Sequence, residues 1–155
     1  KPIGTNNFNK ITRAFDMSVA NIMSKRVVSV YMDDSLQSLR ELFTATGFHH
    51  LVVVHDNKLQ GIISDRDLLK AVSPFVDTIS ERMADRATLD KRAHQIMTRE
   101  VITLSPESSI FKAIELFNNN KISCIPIVDE KSQPVGMVSW RDVMRFMQQR
   151  VESKR

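Results

Sequence analysis

One unit is written twice in this chain, and that repetition constrains the fold more than any other feature. Ile22-Met23-Ser24 recurs 74 positions on as Ile96-Met97-Thr98, and Val27-Val28-Ser29-Val30 recurs as Val101-Ile102-Thr103-Leu104. At the same offset Ser35-Leu36 becomes Ser109-Ile110, and Glu41-Leu42-Phe43 becomes Glu115-Leu116-Phe117. After one inserted residue, Gly61-Ile62-Ile63-Ser64-Asp65-Arg66-Asp67 returns as Gly136-Met137-Val138-Ser139-Trp140-Arg141-Asp142. Register kept across so many dispersed positions marks an internal duplication, not coincidence.

Each copy reads the same way. The β-branched runs Val27–Val30 and Val101–Leu104 predict short strands. Ser35 and Ser109 open helices with one apolar stripe: Leu36, Leu39, Leu42 and Phe43 in the first, Ile110, Ala113, Ile114 and Phe117 in the second. Gly47 suits the end of the first helix. The apolar runs Leu51–Val54 and Ile125–Val128 predict strands buried on both faces. Asp56-Asn57-Lys58 turns the chain into Leu59–Ile63, and a longer stretch from Asp129 to Gln133 does so in the second copy. Final helices begin near Asp65 and near Trp140.

The unit is therefore β-α-β-β-α, with a right-handed helical crossover between parallel strands. One copy of roughly 50–60 residues buries too little apolar surface to be comfortably stable alone. The expectation is an α/β (α+β) fold in which the two repeats pack sheet to sheet about a pseudo-two-fold axis, leaving two equivalent clefts. The expected divisions are an N-terminal extension at 1–16, a first repeat at 17–72, a connector at 73–91, a second repeat at 92–150 and a basic tail at 151–155. Within the connector Pro74 ends the preceding helix, and 78–92 reads as a polar helix. Lys1 is no initiator whereas Met17-Ser18-Val19 suits a natural start, so the residues before Met17 read as an addition or the end of something upstream.

Composition narrows the function classes. The chain is 42% apolar and 26% charged, the balance of a soluble globular protein. No apolar run approaches the ~20 residues that span a bilayer, and the first fifteen residues lack the apolar segment of a signal peptide. Cys124 is the only cysteine, so no internal disulfide forms and a cytoplasmic location is expected. The net charge of +4 favours anionic partners, whether nucleotides, nucleic acid or acidic protein surfaces. Much of it sits at Arg82, Arg86, Lys91 and Arg92, and at Arg145, Arg150, Lys154 and Arg155; solvated helix faces show the same pattern.

The sharpest motif is Gly-h-h-Ser-x-x-Asp, where h is apolar, at Gly61–Asp67 and Gly136–Asp142. A serine at a strand end, three residues before an acid, is what a helix N-cap looks like. The same geometry serves a ligand. A helix N-terminus suits phosphate, and a carboxylate one turn in repels phosphate yet accepts from both hydroxyls of a ribose. Arg66 and Arg141 stand beside it to neutralise phosphate charge. The two readings are compatible.

With these residues in view, the pattern Ile-Met-Ser/Thr, Val-x-Ser/Thr-h, Leu-Phe, h-h-Val-Asp and Gly-h-h-Ser-x-x-Asp, present twice from Met17 to Gln149, resembles a tandem pair of CBS domains (a Bateman module). Small bacterial proteins of this kind are often labelled acetoin-utilisation-like, and nothing here bears on acetoin. The resemblance implies a cytoplasmic, non-catalytic sensor that binds AMP, ADP, ATP or another adenosyl ligand in clefts between the repeats and that associates as a homodimer. It places the ribose acid on Asp67 and Asp142, and the phosphate-side hydroxyl on Ser64 and Ser139. The adenine walls fall near Val28 and Ile102, and the starts of the second strands fall at His49-His50 and Ser123-Cys124. The sequence departs from the pattern where Val52 replaces the proline found as Pro126, and where His55-Asp56 replaces Val-Asp; unequal sites are expected.

Other classes fare less well. No nucleophile–base set emerges, the four histidines lack metal-ligand spacing, and no P-loop or Gly-x-Gly-x-x-Gly is present. Cys124 falls in a buried strand, where packing is its expected role. Met144 and Met147, with Phe146 and Val151, are expected on a dimer face. The alternatives are a nucleic-acid binder using the basic helix Arg141–Arg155, which lacks an aromatic platform, and a dimerisation module with no ligand. An unknown effector protein would read the sensor. S-adenosylmethionine, NADH and cyclic dinucleotides remain as unseparated ligands beside the nucleotides.

Overall fold

The structure, a computed structural model, describes residues 5–153; Lys154 and Arg155 of the expected basic tail, and Lys1, lie outside the described residues. The chain opens with α1 (Thr5–Phe15) and a 3-10 turn at Val19–Asn21. It then forms two compact units, one of residues 27–101 with 132–134, the other of the remaining described chain. Each is built around one copy of the repeat.

In the first-copy unit β1 (Ser29–Tyr31) pairs in parallel with β2 (His50–His55), which pairs antiparallel with β3 (Lys58–Ser64). The crossover is α2 (Leu36–Thr46), whose first turn is held by Ser35 accepting the Ser38 N–H. It ends at Gly47, where φ of +68° suits a residue with no Cβ. Asp56 and Asn57 both take positive φ, the mirror-image turn that matches the twist of a two-residue hairpin. α3 (Asp65–Ala71) follows β3 directly. Val30, Leu36, Leu39, Leu51, Val53, Ile63 and Leu68 form the core, closed by Ala93 and Met97.

Those last two residues show how the unit is completed. Ile96-Met97-Thr98, which in sequence precedes the second copy, lies along the first copy's β3, and Ile62 and Thr98 exchange both backbone hydrogen bonds at 3.1 and 2.9 Å. The second-copy unit is completed in the same manner. Ser24 and Met137 exchange bonds at 2.8 and 2.9 Å, so Ile22-Met23-Ser24 lies along the second copy's last strand. The compact units therefore cut across the divisions that the repeat suggests.

The second-copy unit contains α6 (Ile110–Asn119), capped by Ser109, then β4 (Cys124–Val128), β5 (Pro134–Ser139) and α7 (Trp140–Glu152). The strand expected at Val101–Leu104 does not form; only Leu104 bridges Ile127. In the first copy Val52 N–H donates to the Val28 carbonyl at 3.1 Å. The equivalent donor would belong to Pro126, which has no N–H, so the ladder starts later. The first-copy strand also lies slightly later than Val27–Val30. Phe146, expected on a dimer face, is instead buried among Val143, Ile127 and Ile110, whereas Met144, Met147 and Val151 are exposed.

The connector is not one polar helix over 78–92. After α3 come turns through Thr78, then α4 (Met83–Ala87), a 3-10 turn at Thr88–Asp90 and α5 (Ala93–Ile96). Side chains hold it: Ser73 Oγ donates to Asp85 Oδ1 at 2.7 Å, and Arg86 reaches Asp77 at 2.8 Å and Glu81 at 3.0 Å. Thr88 Oγ1 also accepts the Ser73 N–H and donates to the Asp85 carbonyl, so the segment is tied across turns and not by one continuous helical ladder. No described helix is long and apolar enough to cross a membrane.

Candidate ligand-binding sites

Because β1 and β2 are parallel and β3 runs back, the starts of β1 and β2 and the end of β3 meet at one end of the sheet. His49, His50, Ser64, Arg66 and Asp67 gather at that end, with Val28 at the entry of β1. His50 stands opposite Ser64 in register. Ser64 caps α3: its hydroxyl accepts the Asp67 N–H at 3.1 Å, while Asp67 Oδ2 accepts the Ser64 N–H at 2.8 Å. That capping box fixes the carboxylate and leaves Asp67 Oδ1 without a partner among the described residues. Arg66, exposed, makes no ion pair among them either.

The histidines divide their roles. His49 Nδ1 sits 2.8 Å from Asp65 Oδ2, and the Asp65 N–H donates to the His49 carbonyl at 3.0 Å. Burial acts to raise the Asp65 pKa, but the His49 hydrogen bond and charge outweigh it and hold the carboxyl below the usual range. His50 is half-buried, and that burial, with His49 beside it, lowers its pKa despite the pull of Asp65 and Asp67. Asp65 was not among the residues singled out; its signal was an acid directly after the motif serine that ends β3.

The second-copy unit repeats the core of this arrangement. Ser139 caps α7, accepting the Asp142 N–H at 3.2 Å, and Asp142 Oδ2 accepts the Ser139 N–H at 2.8 Å. Here the other carboxylate oxygen is engaged, with Arg145 3.5 Å from Asp142 Oδ1. Ser123, whose carbonyl accepts the Trp140 N–H at 3.4 Å, and Cys124 take the places of the histidines. Burial, reinforced by the Asp142 charge, pushes the Cys124 thiol up to about 12, which makes it a packing group and not a nucleophile. Ile102 is half-buried and Arg141 exposed without an ion pair among the described residues.

The motif glycines lie against neighbouring backbone. A Cβ on Gly61 would come within 2.9 Å of the Thr98 carbonyl, and one on Gly136 within 3.1 Å of the Ser24 carbonyl. They are glycines because a neighbouring backbone passes over them. Among the described residues no group of three or more His, Cys, Asp or Glu is placed to hold a metal ion.

A β-α-β-β-α unit and a second copy of it whose first strand is reduced to one bridge, each with a Ser-x-x-Asp capping box, define a duplicated α/β fold. The CBS domain family model matches residues 19–74 and 93–149, and the chain belongs to that family. A CBS domain-containing protein of Dictyostelium discoideum is 30% identical over 131 residues, 83% of this chain and 90% of that protein. Homoserine O-acetyltransferase of Methanosalsum zhilinae is 30% identical over 133 residues, and there the chain spans 24% of the relative's length. Among solved structures, the CBS domain pair of protein MJ0100, in complex with 5-methylthioadenosine and S-adenosyl-L-methionine, superposes with a TM-score of 0.68 at 27% identity, covering 86% of this chain and 97% of that one.

Proposed function

We propose that the chain is a non-catalytic sensor that binds an adenosyl ligand at its Ser-x-x-Asp sites and passes occupancy to an effector protein. The observation that carries this reading is the Asp67 carboxylate: one oxygen is fixed by the cap, the other is free to accept from ribose hydroxyls, and Arg66 beside it is uncommitted. The ligands of the MJ0100 pair are of the same chemical class. Ser64 and Ser139 supply hydroxyls at helix N-termini, and Val28 and Ile102 supply apolar contact for a purine. One free guanidinium per site matches one phosphate, which favours a nucleoside or monophosphate such as AMP over ADP, ATP or NADH. The Asp67 site is the stronger of the two, since Arg145 competes for Asp142. Occupancy would favour one conformation, which the partner reads. Homodimerisation through the exposed Met144 side of α7 belongs to the same proposal.

The test is thermal melting of the chain with 5-methylthioadenosine, S-adenosylmethionine, AMP, ADP, ATP and NADH, alongside Asp67→Ala and Asp142→Ala. A ligand at about 100 times its Kd adds roughly 2.7 kcal/mol, a rise of about 5–10 °C for this size. The expected result is a rise with one adenosyl ligand, lost in Asp67→Ala. No shift with any of them reduces both motifs to helix caps.

A further inference from the structure

A groove of about 330 Å³ runs between α1 and the end of α7 within the second-copy unit. The family match begins at residue 19 and ends at 149, so α1 and the last residues of α7 that wall the groove lie beyond it, and the sites proposed above do not use it. Its apolar lining includes Ile11, Phe15, Met147 and Val151, of which Ile11 is 48% and Val151 61% exposed. Lys10, Arg13 and Arg150 line the same groove, and no carboxylate pairs with any of them among the described residues. Arg150 lies over the Phe146 ring, 5.1 Å from its centroid, and against the Met17 sulfur, so its charge rests on apolar groups with no counter-ion.

We propose that this groove is a binding site for a fatty carboxylate, with its alkyl chain on the apolar lining and its head among the three cations. Three unpaired cations beside an apolar surface select an anionic head on an apolar tail. The volume falls at the lower end of the ~300–1,000 Å³ of small-molecule sites, too small for a partner helix. A second copy seated on the groove itself would set like charges against each other, and Met144, on which the proposed dimer contact is placed, does not line the groove.

The experiment is calorimetric titration of the full chain with dodecanoate below its micellar concentration, with dodecan-1-ol as the uncharged control. The expected result is saturable binding of dodecanoate, with dodecan-1-ol weaker by about tenfold or more, the effect of losing a charge-assisted contact. Arg13→Glu with Arg150→Glu, and separately Val151→Asp, should each abolish the binding while circular dichroism shows the fold retained. Absence of saturable binding, equal affinity for the alcohol, or indifference to the charge reversals overturns the proposal. So does sedimentation showing a dimer that Val151→Asp converts to monomer, which would make the groove a contact between copies.

Discussion

Replacing Gly61 by alanine should destabilise the first-copy unit, and by more than the matching change at Gly136. A Cβ at Gly61 would stand 2.6 Å from Met97 Sδ, 2.9 Å from Met97 Cγ and 2.9 Å from the Thr98 carbonyl oxygen. The methionine end is flexible and swings away at little cost. The carbonyl is not, because it accepts the Ile62 N–H at 3.1 Å while Thr98 N–H donates back at 2.9 Å. Relieving the clash means separating the two backbones and weakening both bonds. Overpacking of this kind costs ~1–3 kcal/mol, offset by ~0.4–1 kcal/mol from the stiffer unfolded chain. The net loss is about 1–2 kcal/mol, a fall in Tm of about 3–6 °C. At Gly136 the Ser24 carbonyl stands 3.1 Å from the Cβ position, and the sulfur of Met23 at 2.5 Å is again the movable partner; about half the loss is expected.

Urea unfolding followed by circular dichroism measures the stability, and amide exchange locates it: Ile62 and Thr98 should lose protection in Gly61→Ala. A Met97→Leu background separates the contacts, since it removes the sulfur and keeps the carbonyl. If Gly61→Ala proves neutral there and in the parent, the close approach of the Thr98 segment does not constrain the motif, and the account of its glycine is wrong.

Two further outcomes follow from the titrating groups. His50 has a lowered folded pKa, so its neutral form is favoured in the native state; stability is full above the unfolded value of about 6.5 and is lost as pH falls toward the folded value. His50→Gln should flatten the pH dependence of Tm between about pH 7 and pH 5, and an unchanged slope would remove His50 as the cause. Cys124, with its thiol pushed up to about 12, should react with a disulfide reagent at pH 8 about a hundredfold or more slower in the native chain than in urea; comparable rates would show that it is not shielded.

Local chemistry was legible because it is written locally. Ser35, Ser64, Ser109 and Ser139 each cap the helix that the spacing predicts, Gly47 ends the first crossover helix, and Asp56-Asn57 makes the hairpin. What escaped the sequence is non-local. Ile22-Met23-Ser24 and Ile96-Met97-Thr98 are equivalent in the repeat, so periodicity cannot say which copy each completes. The shortened second-copy ladder turns on Pro126, whose position was noted as a family feature and not for its missing N–H. The connector failed as a helix because Ser73, Asp77 and Asp85 bond across turns, and polar composition alone does not distinguish that from a solvated helix.

The duplication also explains how the two sites came to differ. A capping box needs only a serine and an acid three residues on, and both copies keep that pair in nearly the same geometry. The positions around it carry no such demand. Where the first copy has Asp65, tied to His49, the second has an exposed Trp140; where the first has His50, the second has Cys124 with a thiol that stays protonated. The first site therefore carries an imidazole whose burial favours its neutral form, and the second carries in its place a thiol that stays protonated. Duplication thus kept the cap that the helix needs and left the flanking side chains free to diverge.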